Sequence, residues 1–244
     1  MIIESHAHYS HSLFFSGPSF LGMLIFFIIP FGVVVYYSFI AGALDHSFAG
    51  LKNYISVIQN GAFKIAVKNT AVFSALSVPL AVILALALAL MLEARIPFKS
   101  QFRTFFLSPM MVPIASIILV WQVLFHDNGV VNEVLKAFGQ DKIYWFSSNA
   151  SLLVIVILFL WKNLGYNMIL FMSALANIPK ELLEVADVEG ASETYKFFAI
   201  KLRYLSPTVL FVTILSIINS FKVFREIYLL SGDYPYEGLY MLQH

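Results

Sequence analysis

Long apolar segments recur along this sequence, separated by shorter stretches that carry most of its charge. Five are long enough to cross a bilayer, for which a helix needs about 20 mostly apolar residues. They cover residues 20–40, 70–92, 104–125, 150–176 and 204–222, and the first three contain no charged residue. Helices pair their backbone groups internally, whereas an open sheet in lipid leaves them unpaired. The pattern predicts an all-α fold, a polytopic bundle of transmembrane helices over residues 20–244.

The composition supports a membrane protein and excludes several other classes. Hydrophobic residues make up 60% of the chain and charged residues 12%, against about 25% charged residues in a typical soluble domain. A net charge of +1 offers no basic surface for nucleic acid. The absence of cysteine removes disulfides, thiolate nucleophiles and cysteine-ligated metals. Residues 1–19 contain no Lys or Arg, so they lack the positive start of a signal peptide and are interpreted as a tail.

The positive residues between the spans predict an orientation. Loops 93–103 and 177–203 hold seven Lys and Arg residues, whereas loops 41–69, 126–149 and 223–244 hold six over about twice the length. Loops rich in Lys and Arg remain on the cytoplasmic side of a membrane. The first two loops and the N-terminal tail are therefore expected to be cytoplasmic. Five spans place residue 244 outside, and we expect a sixth span beyond it.

Loop 177–203, which we call the elbow, has the signals of two helices joined by a tight turn. Pro179 suits a first helical turn, because its missing N–H costs nothing there. Glu181 and Glu184 place negative charge near the same helix N-terminus. Gly190 suits the left-handed residue that ends a helix, and Ser192 can cap the next one. The elbow is predicted to be a helix–turn–helix between the fourth and fifth spans.

The elbow also resembles a known motif. Glu184-Val185-Ala186, three residues, Gly190, nine residues and then Ile200-Lys201-Leu202-Arg203 reproduce the spacing of the EAA loop of binding-protein-dependent ABC importer permeases. Val185 replaces the middle alanine of that motif and Arg203 replaces its proline. The segments 50–54, 161–168 and 220–228 resemble the carbohydrate-importing branch, the maltose and glycerol-phosphate permease type. The resemblance covers roughly residues 20–244, and the family pattern has a sixth helix after them.

This resemblance implies a function without catalysis by the chain itself. In the family, the first elbow helix docks into a cleft of a cytoplasmic ATPase dimer and transmits its closure to the spans. The residues implied in this coupling are Glu184, Val185, Ala186, Asp187, Gly190 and Ala191. The resemblance further implies a second homologous permease subunit, an extracytoplasmic solute-binding protein, and residence in a bacterial-type cytoplasmic membrane. ATP is then bound by the partner subunits, because this chain has no P-loop, and no cofactor or metal is expected.

Residues around the fourth span are candidates for the solute pathway. Lys162 lies roughly mid-span, where a charge costs about 2.5–3.5 kcal/mol unless it faces water or a partner. Alternatively it snorkels or pairs with a sister subunit, as Lys222 can at its span end. Aromatic residues at a span end more often form an interfacial belt than a sugar platform. The candidates are Lys162, Asn163, Gly165, Tyr166, Asn167, Phe221 and Lys222.

Two other functions are compatible with parts of the sequence. One is an importer of a non-sugar solute, such as an amino acid or phosphate. The other is an intramembrane enzyme, which requires polar groups that converge within the spans, where the sequence offers Lys162 and amides. His6, His8 and His11 are too loosely spaced, without a completing Cys or carboxylate pair, to indicate a metal site.

Overall fold

The structure, a computed structural model, describes residues 16–42, 47–93 and 98–244. His6, His8, His11 and Arg95, on which parts of the sequence analysis depend, lie outside these residues. The described residues divide into two compact units at Gly61, and each unit is described here by itself.

The first unit consists of one long apolar helix and one short amphipathic helix. Helix α1 (Ser16–Ser38) includes a π-helical segment at Leu24–Ile28, and none of its residues is buried. Helix α2 (Lys52–Gln59) follows the chain reversal after α1. The side-chain amide of Asn53 donates to the backbone oxygens of Ser38 and Ile40, at 2.9 and 2.8 Å. These two hydrogen bonds attach the start of α2 to the end of α1.

The second unit is a helical bundle. Its helices are α3 (Gly61–Glu93), α4 (Lys99–Met111), α5 (Ile114–Leu124), α6 (Val130–Ala137), α7 (Ser151–Ala176), α8 (Lys180–Val188), α9 (Leu202–Phe221) and α10 (Phe224–Ser231). A short helix at Glu193–Tyr195 and a π-helical segment at Lys196–Lys201 precede α9, and a 3-10 turn at Glu237–Leu239 follows α10. Helix α7 packs against α4, α9 and the 3-10 turn, which places it at the centre of this unit.

Small residues on α3 allow its neighbours to approach closely. Ala81, Ala85 and Ala89 recur every four residues, so they share one face of the helix, and all three are fully buried. Ala85 and Ala89 belong to a buried cluster with Met168 and Phe171 of α7. Small side chains serve this purpose in membrane helices, because association there depends on van der Waals packing rather than on the hydrophobic effect.

Four described helices are long and apolar enough to cross a membrane, or five if a broken pair counts as one span. The pair is α4 and α5, which meet at an angle of 99°. The segment predicted as the third span, residues 104–125, is therefore broken into two helices. The break lies at Val112 and Pro113, where Val112 has extended backbone angles. Proline disfavours a helical conformation in the preceding residue and has no N–H for the helix ladder.

The elbow also differs from its prediction. Its first helix is α8, with Pro179 at the N-cap position rather than in the first turn. The second helix starts at Glu193, as expected, but it does not end before the membrane. It continues through the π-helical segment into α9, so that Glu193–Ser231 forms one candidate span of 39 residues. The second helix of the predicted helix–turn–helix is therefore continuous with the fifth span, because no helix-ending residue occurs between Ser192 and Leu202.

Gly165 sets the closest approach in the second unit. This residue of α7 lies against the carbonyl group of Phe106 in α4, and a Cβ atom built on it would lie 1.9 Å from the Phe106 oxygen. A backbone atom cannot move aside as a flexible side chain would. Glycine is therefore required where α4 crosses α7.

Replacing Gly165 by alanine should destabilise the protein. Overpacking of this kind costs about 1–3 kcal/mol, although alanine alone favours a helix over glycine by about 1 kcal/mol. The matched control is Gly32→Ala in α1, where nothing lies within 4 Å of the added Cβ. Circular dichroism of the detergent-purified chain should show a lower melting temperature for Gly165→Ala and an equal or higher one for Gly32→Ala. Equal melting of both variants would contradict this account of the α4–α7 crossing.

Candidate functional site

A cleft of about 390 Å³ opens beside α7 where α9 ends and α10 begins. We call it the polar cleft. Its charged and amide residues come from α7 and from the α9–α10 junction, and apolar and aromatic side chains complete its wall. The lining residues are Met110, Leu158, Phe159, Lys162, Asn163, Tyr166, Leu215, Asn219, Lys222, Val223, Arg225 and Glu226.

An ion pair connects the middle of α7 to α10 at this cleft. Lys162 Nζ lies 2.5 Å from Glu226 Oε1, and the side chain of Glu226 is only 9% exposed while that of Lys162 is 34% exposed. A lysine within a span is costly unless a partner neutralises it. Glu226 supplies that partner within the same chain. The second carboxylate oxygen, Oε2, is buried and receives no hydrogen bond from the described residues.

Two further polar contacts join α7 to α9. Asn219 donates to the side-chain oxygen of Asn163 at 3.0 Å, and Asn167 donates to the hydroxyl of Ser216 at 3.1 Å. Asn167 and Ser216 are both buried. Hydrogen bonds between membrane helices contribute about 0.6 kcal/mol each on average. Together with the ion pair, these contacts hold α7 to α9 and α10 along one side of the cleft.

The structure separates the residues predicted for the solute pathway into two groups. Lys162, Asn163, Tyr166 and Lys222 line the polar cleft. Gly165, Asn167 and Phe221 are not among its lining residues. Gly165 lies against α4, Asn167 is bonded to Ser216, and Phe221 is 43% exposed. For the first four residues, a role in the pathway stays a prediction.

Sequence reasoning missed three polar lining residues. Asn219, Arg225 and Glu226 contribute to the cleft from the end of the fifth span and the start of α10. A signal for Glu226 existed in the sequence, since a charge within a span calls for a counter-charge. That signal does not identify Glu226 as the counter-charge, because the ion pair joins positions that are 64 residues apart along the chain.

The turn of the elbow is closed by the hydrogen bonds expected for a glycine-terminated helix. Gly190 has φ +74°, a left-handed conformation that glycine adopts without strain. The N–H of Gly190 donates to the carbonyl of Asp187, and the N–H of Ala191 donates to that of Ala186. This is a Schellman motif. Ser192 then caps the next helix by accepting a bond from the N–H of Tyr195.

Ion pairs hold the two arms of the elbow together. Lys196, buried at the start of the π-helical segment, pairs with Asp187 of α8 and with Glu193. Lys201, at the end of that segment, pairs with Glu93 at 2.8 Å, which attaches the elbow to the end of α3. Asp187 is therefore engaged within the chain, which leaves it less free for a partner.

The outer surface of α8 is apolar at its centre and acidic around it. Val185 and Val188 are 57% and 89% exposed, and with Glu181, Glu184 and Glu189 they line a shallow depression. An exposed apolar patch with a polar rim is typical of an interaction surface. Ala186, in contrast, is buried inside the chain. Its small size serves packing of the elbow itself rather than contact with another molecule.

The fold and these two sites define a membrane transport component. The sequence profile described as "Binding-protein-dependent transport system inner membrane component" matches residues 77–241. The chain belongs to this family, which is one of transporter permeases and not of enzymes.

Relatives of the chain are permeases of named solute systems. The arabinooligosaccharides transport system permease protein AraP of Bacillus subtilis is 30% identical over 232 residues, covering 88% of this chain and 70% of that protein. AraP of Halalkalibacterium halodurans is 33% identical, covering 74% of this chain and 58% of its own length. The sn-glycerol-3-phosphate transport system permease protein UgpA of Agrobacterium fabrum is 29% identical, covering 90% of this chain and 76% of that protein.

A solved structure shares the fold. It belongs to a bacterial ABC transporter described as involved in the import of the acidic polysaccharide alginate, with a TM-score of 0.81 at 23% identity. The superposition covers 98% of this chain and 82% of that one. The fold of the described chain is therefore that of an ABC importer permease.

The Lys162–Glu226 pair can be tested by a double-mutant cycle. Lys162→Met leaves a buried carboxylate unpaired. Because Lys162 is partly exposed, we expect a cost of about 1–3 kcal/mol, between the values for surface and buried pairs. Adding Glu226→Leu should recover part of this loss, since no charge then remains unpaired. Thermal unfolding in detergent measures all three variants against the parent, and strictly additive costs would show that the two side chains do not interact.

Proposed function

We propose that this chain is a pore-forming permease subunit of an ATP-driven importer, and that it passes a sugar or related solute through the membrane. The observation that supports this most strongly is the family match over residues 77–241. The elbow and the polar cleft supply the two things such a subunit requires. One is a surface on which an ATPase can dock, and the other is a polar path for the solute between the spans.

The chemistry of the polar cleft suits a polyhydroxylated solute. Asn163 and Asn219 offer amide groups on the wall of the cleft. Hydroxyl groups both donate and accept hydrogen bonds, so a saccharide can bond to both amides. Phe159 and Tyr166 add aromatic surface to the wall. The oligosaccharides named for the AraP relatives agree with this chemistry.

We propose that α8 docks onto a cytoplasmic ATPase dimer that binds the ATP. Val185 and Val188 would enter the partner's surface, and the carboxylates of Glu181, Glu184 and Glu189 would meet its basic or amide groups. This proposal requires the elbow and residues 1–19 to be cytoplasmic, which agrees with the distribution of Lys and Arg in the loops. It assigns coupling to Glu184, Val185, Gly190 and Ala191, and leaves Ala186 and Asp187 to hold the elbow rigid.

Force would reach the cleft through a continuous helix. The ion pairs of Lys196 and the Schellman turn join α8 rigidly to the helix that begins at Glu193. That helix runs through α9 to the α9–α10 junction, where Lys222, Arg225 and Glu226 line the cleft. A displacement of α8 would therefore rotate or shift one wall of the cleft against α7. Such rigid-body motion alternates access to a site between the two sides of a membrane.

The remaining partners are those of a binding-protein-dependent importer. An extracytoplasmic binding protein would deliver the solute, and a second homologous permease subunit, in a heterodimer, would complete the pathway. The apolar surface of α1, on which no residue is buried, suits lipid or that second subunit. The chain itself would need no cofactor. A second candidate solute is a phosphorylated polyol, because UgpA of Agrobacterium fabrum is named for sn-glycerol-3-phosphate.

Uptake by cells tests the function directly. Cells with and without the gene for this chain should be compared for uptake of labelled arabinooligosaccharides, glycerol 3-phosphate, and uronic acid oligosaccharides alongside their neutral counterparts. We expect at least one of these solutes to depend on the gene for uptake, and to stop entering when ATP is depleted. Uptake of every member at the parental rate without the gene would refute the proposal.

Glu184→Lys tests the coupling surface. Reversal of this exposed charge should abolish transport and reduce solute-stimulated ATP hydrolysis by about tenfold or more in the purified complex, because like charges would face each other at the docking surface. The matched control is Glu133→Lys on α6, another exposed helix position outside the elbow, which should leave both activities unchanged. Normal transport and normal assembly of the Glu184→Lys complex would exclude the docking role.

A further inference from the structure

The polar cleft carries more positive charge than the whole chain. Three cations and one carboxylate line it, a net charge of +2, whereas the whole sequence has +1. Glu226 neutralises Lys162. The side chains of Lys222 and Arg225 form no ion pair or hydrogen bond with any other described residue. Two unneutralised cations therefore line a cleft whose only carboxylate is already engaged.

Helix ends account for one of these two cations and not for the other. Lys222 follows the last residue of α9, where the negative end of the helix dipole favours a cation. Arg225 is the second residue of α10, where the positive end of the dipole disfavours one. Arg225 therefore gains nothing from its place in the helix, and its neighbour Glu226 is turned to Lys162. What its position does provide is a guanidinium group on the wall of the cleft.

We propose that the polar cleft binds a solute with an anionic group, specifically an acidic saccharide, and that Arg225 and Lys222 contact its carboxylate. This inference rests on the proposed function and narrows its solute class. The planar guanidinium of Arg225 matches a carboxylate in two parallel hydrogen bonds, and the ammonium of Lys222 adds a second positive charge. Apolar helices around the cleft strengthen this attraction by concentrating the positive field within it.

The other lining groups suit the rest of such a solute. Asn163 and Asn219 serve hydroxyl groups, and Lys162 is held back from the anion by its own ion pair. A neutral saccharide would use these same groups but would offer no negative charge to either cation. A carboxylate of a neighbouring subunit is the other possible counter-charge, and the experiment below separates it from a solute.

The experiment uses the complete importer in cells and compares matched probes. Oligogalacturonate, oligomannuronate and oligoglucuronate are paired with neutral oligosaccharides of the same sugars without the carboxylate, and arabinooligosaccharides are added as further neutral probes. We expect gene-dependent uptake of an acidic member and little uptake of its neutral counterpart. Arg225→Gln should raise the KM for the acidic probe by about tenfold or more, the effect of losing a charge-assisted contact. Lys222→Gln should act in the same direction.

Two controls keep the outcome specific. Lys136→Gln removes the same charge from an exposed position on α6, away from the cleft, and should leave the KM unchanged. Arg225→Gln removes a cation that the helix dipole disfavours, so the variant should fold. Size-exclusion chromatography of the purified complex should show it fully assembled.

The following outcomes would overturn the binding of an acidic saccharide by Arg225 and Lys222. Gene-dependent uptake of neutral probes alone would overturn this inference and leave the proposed function standing. An unchanged KM for the acidic probe in both variants would also overturn it, as would loss of complex assembly, which would assign the cations to a subunit contact. If uptake of none of the saccharides depends on the gene, this inference is overturned, and so is the proposal that the solute is a saccharide.

Discussion

The arrangement of the polar cleft depends on the neutralisation of a lysine in the middle of a transmembrane helix. Glu226 lies against Lys162 and supplies the opposite charge that a lysine within a span requires. The same contact joins the start of α10 to α7 beside the α9–α10 junction. Arg225 and Lys222, on either side of that junction, then line the cleft as well.

A second constraint links that cleft to the elbow. A flexible connection between α8 and the fifth span would absorb a displacement, whereas this one is closed by a Schellman turn, a helix cap and the two ion pairs of Lys196. The helix then continues without interruption to Phe221. The π-helical segment lies at the point where the elbow becomes the span, and such segments often occur at functional sites. These contacts hold the elbow against the start of the fifth span.

Local signals in the sequence were reliable for features that depend on one short segment alone. The apolar segments became helices, Gly190 ended α8 and Ser192 capped the helix that follows, because these features depend on neighbours along the chain. The break in the third span has an equally local cause, since proline can either kink or end a helix. Pro109 lies inside α4 and Pro207 inside α9, whereas Pro113 separates two helices. Val112 precedes Pro113 and therefore prefers extended backbone angles. The hydropathy of the segment contains no information on this preference.

The sequence by itself determined the class of fold, the family motif of the elbow and the candidate polar residues of the fourth span, since composition, hydropathy and spacing are properties of short segments. Only the tertiary structure decided what those residues contact. It gave Lys162 a partner 64 positions away, placed Gly165 against a backbone carbonyl, and turned Ala186 inward while Val185 and Val188 face outward. Contacts of this kind depend on which helix faces cross in space. That crossing follows from packing between distant segments, and no hydropathy pattern records it.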